Sequence, residues 1–358
     1  MRTWIFAVLA ITFLTAAKNS VPAAEFAVGA DLSYLKQAED RGTVFKDGTN
    51  AMPGLQIFKN HGYNWVRLRI FVEPVGGGLP NGLAYTLAEA TAAKQLGYKF
   101  LLDFHYANSW ADPGHQPTPT AWTNLTHKER TKKVFEYTRD TLAAFRDAGV
   151  LPQMVQVGNE IRTGMLWPDG KLPEHWDNFA HYLRAGIKGV AAGSGTNPPP
   201  KIMIHMDQGA SVSATKYFFD QLKHYRIRYD IIGFSYYPWW HGSLLDLRDN
   251  LAFTANRYHK DIMVVETAYN WRPARESAER PGPFPETPEG QREFLEQLTR
   301  IVLGTPEERC KGIFWWEPAV GTRGGPLSRG FFDENGNSLP VLTVFDKYTR
   351  PAPRTKRK

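Results

Sequence analysis

The chain of 358 residues is long enough for one large domain or two ordinary ones, and its 42% hydrophobic content excludes an intrinsically disordered polymer. The formal charge of +7 does not imply a nucleic-acid binder, because Arg2 and Lys18 near the start and Arg350, Arg354, Lys356, Arg357 and Lys358 at the end account for the whole excess. A single cysteine, Cys310, excludes an internal disulfide framework.

An apolar run over 3–14 follows Met1-Arg2, and Val21-Pro22-Ala23 supplies the small residues that a signal peptidase reads. The run is too short for a bilayer, which needs about 20 apolar residues. The expectation is a signal peptide over 1–23, one domain over 24–348 and a disordered basic tail over 349–358. The mature chain is then secreted or periplasmic, without a membrane anchor.

Eight apolar runs follow, over 27–34, 65–72, 99–106, 154–157, 201–206, 231–237, 261–269 and 312–317. Most lack polar alternation, as do strands buried on both faces of a parallel sheet. Helical patterns separate them, over 52–61, 86–96, 128–147, 174–192, 213–224, 244–259 and 287–303. Gly193 to Pro200 reads as a loop. Eight βα units predict a (β/α)₈ TIM barrel, and the long connections over 108–124, 272–286 and 319–330 all follow strands, on the face where such folds place their sites.

Polar groups at strand ends carry the functional signal, since a buried polar group without a partner is costly. Val155 to Ile161 runs apolar into Asn159-Glu160, and Asp261 to Tyr269 runs apolar into Glu266. Two carboxylates closing two strands of one sheet suit acid/base and nucleophilic work on a glycosidic bond. Asp103-Phe-His105-Tyr106, Arg67 and Arg69, His205 and Asp207, Tyr236 to Trp240 and Trp315-Trp316-Glu317 stand at the same rim. Aromatic faces beside charged groups describe a sugar site. Arg69 reads as structural, packed with helix or loop acids; Trp239-Trp240 as groove-lining; and Cys310, which has no histidine partner in sequence, as structural rather than nucleophilic.

These residues resemble glycoside hydrolase family 53, the endo-β-1,4-galactanases of a clan of retaining (β/α)₈ glycosidases. The matching stretches are Gly29-Ala-Asp-Leu-Ser-Tyr34, Leu102-Asp-Phe-His-Tyr106, Trp110-Ala-Asp-Pro-Gly-His-Gln116, Val157-Gly-Asn-Glu-Ile161, Gly164-Met-Leu-Trp-Pro168, Asp230 to Pro238, Phe314-Trp-Trp-Glu-Pro318 and Asn337-Ser-Leu-Pro340. The resemblance implies that Glu160 is the acid/base and Glu266 the nucleophile. It further implies that Asn159 holds the sugar 2-hydroxyl, Arg67 lies near the nucleophile, Tyr237 hydrogen-bonds it, and Trp316 floors the adjoining subsite. His105, Trp110, His205 and Asp207 match positions that line the groove.

Some bacterial members bind calcium in the loop after the seventh strand. Here that loop carries Glu276 and Glu279 interrupted by arginines, without the density of oxygen ligands that calcium takes, so neither metal nor cofactor is expected. The implied activity is endo-hydrolysis of β-1,4-galactan, a polysaccharide partner, by a monomer with retention. The alternatives are a clan-related glycanase acting on mannan, glucan or xylan, and a sugar-binding barrel that does not catalyse.

Overall fold

The computed structural model describes residues 26–76, 78–274, 280–320 and 328–349. The stretch 1–23 expected to be a signal peptide, Glu276, Glu279 and the cations of the basic tail lie outside the described residues. Eight parallel strands close into a barrel: β1 (Ala27–Asp31), β2 (Trp65–Ile70), β3 (Lys99–Phe104), β4 (Met154–Val157), β5 (Lys201–Met206), β6 (Ile231–Tyr236), β7 (Asp261–Thr267) and β8 (Cys310–Trp316). Each strand pairs with the next in sequence, and β8 returns to β1 in register from Ala27 opposite Gly312 to Asp31 opposite Trp316. The barrel requires this order, since each right-handed βαβ unit lays its new strand beside the last.

The connecting helices are α1 (Gly54–Asn60), α2 (Leu83–Gln95), α3 (His127–Asp147), α4 (Trp176–Ser194), α5 (Val212–His224), α6 (Leu244–Tyr258) and α7 (Pro288–Leu303). Several begin at caps the sequence supplies. Thr126 with Glu129 and Ser243 with Asp246 close capping boxes, and the Ser211 and Thr287 side chains accept backbone N–H groups. Three departures from expectation are local. Strand β1 ends at Asp31, and a short helix Leu35–Asp40 follows, too brief to leave a periodic signal. A ribbon pairs Lys46–Asp47 with Asn50–Ala51. Helix α4 continues through Gly193 and Ser194, because Gly193 serves packing there: a Cβ would lie 2.5 Å from the Arg139 carbonyl oxygen of α3.

Inside the barrel, side chains stack in two layers of different chemistry. Trp65, Leu101, Met154, Met203, Ile231, Met263, Val265 and Phe314 form a closed apolar floor. Two residues further along several of the same strands, inward positions become polar: Arg67, Asp103, Gln156, His205 and, by way of Gly233, Ser235, all essentially buried. The apolar floor keeps water out from below, so the polar layer faces only the rim formed by the strand C-termini.

Candidate active site

A cleft of about 560 Å³ opens above the polar layer at the C-terminal ends of the strands. Arg67, His105, Trp110, Asn159, Glu160, Asp207, Tyr237, Glu266 and Trp316 line it. His205 does not: it is fully buried in the polar layer beneath the cleft, so it reaches a ligand only through its neighbours. Trp240 lines the cleft and is half exposed, whereas Trp239 is core, stacked on Tyr269 and Tyr237. The expected groove-lining pair is therefore one wall residue and one packing residue, because the turn Pro238–His241 points neighbouring side chains apart.

Two backbone devices aim the glutamates. Beyond β4, Gly158 takes φ +94°, which L-residues rarely adopt, and Glu160 itself is left-handed at φ 49°, ψ 50°. In β7 the register slips by one residue: Phe234 and Ser235 of β6 stand opposite Val264 and Glu266. This bulge lets Val265 stay in the apolar floor while Glu266 also turns into the cleft.

Arg67 holds the assembly together with every N–H it has. Nε donates to Gln156 Oε1 at 2.9 Å, Nη1 to Asp31 Oδ2 and Glu266 Oε2 at 2.9 Å each, and Nη2 to Asp103 Oδ2 at 2.9 Å and Asn159 Oδ1 at 2.8 Å. The other oxygen of Glu266 accepts the Tyr237 hydroxyl at 2.8 Å. Burial and the neighbouring Glu266 charge raise the Tyr237 phenol well above its usual range, so it stays a donor. Burial alone would raise the Asp103 carboxyl, but Arg67, and then the His105 hydrogen bond, reverse this and hold it low. Arg69 binds Asp31 at 2.8 Å and also Glu317, while its guanidinium lies 4.4 Å from the Trp110 ring centre and 5.0 Å from that of Tyr34. Its partners are thus acids at strand ends rather than acids of helices or loops.

Glu160 sits in a different environment. Burial first, then the negative charges of Glu266 and Asp207, push its carboxyl well above the usual range, with Ser235 and Arg67 offsetting only part. Ser235 Oγ donates to Oε1 at 2.5 Å. Asp207 is held by Arg162 through two bonds of 2.8 Å. His105 lies 3.2 Å from Asp103 and accepts the Ala111 N–H at 3.0 Å, which fixes the loop carrying Trp110. The two site carboxyls thus differ: one is clamped by a cation and a phenol, and the other is kept neutral by burial and like charge. Sequence reasoning missed Asp31, Gln156 and Ser235. The inward alternation Met154-Gln156 and Ile231-Gly233-Ser235-Tyr237 was the signal that could have found the last two.

Among the described residues no group of three or more His, Cys, Asp or Glu is placed to hold a metal ion, and no helix is long and apolar enough to cross a membrane. Burial pushes the Cys310 thiol up to about 12, which leaves it unreactive.

Residues 27–345 match the family described as Glycosyl hydrolase family 53. An arabinogalactan endo-beta-1,4-galactanase of Cellvibrio japonicus is 35% identical over 96% of this chain and 97% of its own. An uncharacterized protein of Niallia circulans is 39% identical over 90% of each. The GH53 catalytic domain of Ignisphaera aggregans superposes with a TM-score of 0.84 at 34% identity, covering 90% of this chain and 95% of the other.

Proposed function

The chain belongs to glycosyl hydrolase family 53 and is a glycosidase, and from that premise we propose that it cleaves β-1,4-galactosidic bonds within galactan by double displacement with retention. The observation that carries the reading is the contrast between Glu266, gripped by Arg67 and Tyr237, and the adjacent neutral Glu160. In the first step a Glu266 oxygen attacks the anomeric carbon while Glu160 gives its proton to the departing glycosidic oxygen. The bond to the leaving sugar breaks, and a glycosyl ester to Glu266 forms. Glu160, now charged, takes a proton from water, whose oxygen displaces Glu266 and restores both carboxyls. Asn159, fixed by its carbonyl oxygen accepting from Arg67 and its amide donating to the Ala111 carbonyl at 2.8 Å, is the residue proposed to hold the sugar 2-hydroxyl. Trp316 and Trp110 supply apolar faces for pyranose rings.

Galactan is the proposed substrate because galactanases are the named relatives at this similarity. Export follows from the reading of residues 1–23 as a signal peptide, and a monomer is proposed because the described cleft is complete within one chain. Purified protein should depolymerise unbranched β-1,4-galactan and leave mannan, xylan and carboxymethylcellulose essentially untouched. Comparable rates on any of those three would overturn the substrate assignment.

A further inference from the structure

Below the cleft, a chain of buried hydrogen bonds runs from Arg67 to the far side of Glu160, and its direction can be read link by link. Arg67 Nε donates to Gln156 Oε1, which fixes the orientation of that amide. Gln156 Nε2 must then donate, and it meets Asp103 Oδ1 and His205 Nδ1, both at 2.9 Å. The Glu160 backbone N–H also points at Nδ1, at 3.4 Å. Two donors therefore face Nδ1 against one acceptor, Asn159 Oδ1 at 3.0 Å, and Nδ1 is the bare nitrogen. Burial, reinforced by Arg67, keeps the His205 ring neutral, so its one proton sits on Nε2 and is given to Ser235 Oγ at 2.8 Å. The hydroxyl proton of Ser235 is left for Glu160 Oε1, 2.5 Å away.

We propose that Ser235 is a positioning residue for the acid/base: held as a donor by His205, it occupies Oε1 and confines the single proton of Glu160 to Oε2. That oxygen has no protein partner among the described residues, and Glu160 lines the cleft where the leaving oxygen departs. The opposite polarity would place the Glu160 proton against Ser235, useless to a substrate. The assignment rests on the reading of Glu160 as acid/base. The charged and titratable groups facing Glu160 are Glu266 from β7, His205 from β5 and Asp207 just beyond it, Arg67 from β2, Tyr237 beyond β6, and Arg162 on its own turn. Substituting Ser235, which is fully buried and uncharged, adds or removes no charge among these groups.

The test is the pH profile of kcat/KM on galactan for Ser235→Ala and Ser235→Cys, beside Glu160→Ala. A donor to the carboxylate favours its ionised form, so its loss moves the alkaline limb, where Glu160 ionises, to higher pH by roughly half a unit or more. Turnover of galactan should fall about tenfold or more, with a smaller loss on an aryl galactoside whose leaving group needs little protonation. Ser235→Cys, nearly isosteric and a weak donor, should move the limb the same way even if Ser235→Ala folds poorly. Lowered Tm with the limb unmoved and equal losses on both substrates overturns the Ser235 assignment alone, provided added azide rescues Glu160→Ala. Failure of azide to rescue Glu160→Ala overturns the acid/base reading beneath it.

Discussion

Arg67 shows how one side chain can organise a site without touching the chemistry of bond cleavage. Its five donors meet Gln156, Asp31, Glu266, Asp103 and Asn159, so each acceptor is placed relative to the others by one rigid planar group. A lysine keeps the charge but not the fork. Glu160 is the opposite case, a carboxyl held neutral at a cost to stability. Its folded pKa is raised, so between the ordinary carboxylate range and that raised value the native state binds more protons than the unfolded chain, and stability falls as pH rises through this window. Glu160→Gln removes the cost. It should therefore raise Tm at pH 7.5, on the order of 2 °C, and leave Tm nearly unchanged near pH 3, below the ordinary carboxylate range, where both states hold the proton. Thermal scans at the two pH values check this, and a stabilisation confined to the acidic scan would contradict it. The two glutamates and Arg67 were legible in the sequence as charged residues ending or interrupting apolar runs. Gln156 and Ser235 showed only through the inward alternation of their strands, since a neutral polar residue stands out from apolar neighbours less than a charge does.

At the scale of elements, the eight strands and the helices between them were legible because the runs are long and lack alternation, whereas what aims the site was not. The Glu266 bulge depends on how β7 registers against both β6 and β8, which no single strand encodes. The division of Trp239 from Trp240 likewise depends on a one-turn helix. Helix packing is equally non-local. On α4, Gly189 and Gly193 abut α3, and a Cβ at 193 would lie 2.5 Å from both the Arg139 carbonyl oxygen and Leu142 Cβ. Alanine raises helix propensity by about 1 kcal/mol over glycine, while overpacking costs about 1–3 kcal/mol. Because the clash is partly with backbone, which cannot rotate away, Gly193→Ala should lower Tm by a few degrees. An unchanged or higher Tm would show that α3 and α4 can separate freely.

For the whole molecule, the barrel brings together groups far apart in sequence: Asp31, Arg67, Glu160 and Glu266 come from four strands or strand ends and meet within one buried layer. The loop after β7 carries no oxygen-ligand pattern in sequence, so activity and Tm should survive treatment with a chelator. A large loss restored by calcium alone would reverse that reading. The central claim is that Glu266 attacks and Glu160 serves first as acid and then as base, and it is tested most directly by proton NMR of the hydrolysis of a short β-1,4-galactooligosaccharide. Two displacements at one carbon predict that the new reducing end appears first as the β anomer and only later mutarotates. Initial appearance of the α anomer would contradict the account, since a single inversion leaves no place for a glycosyl ester on Glu266.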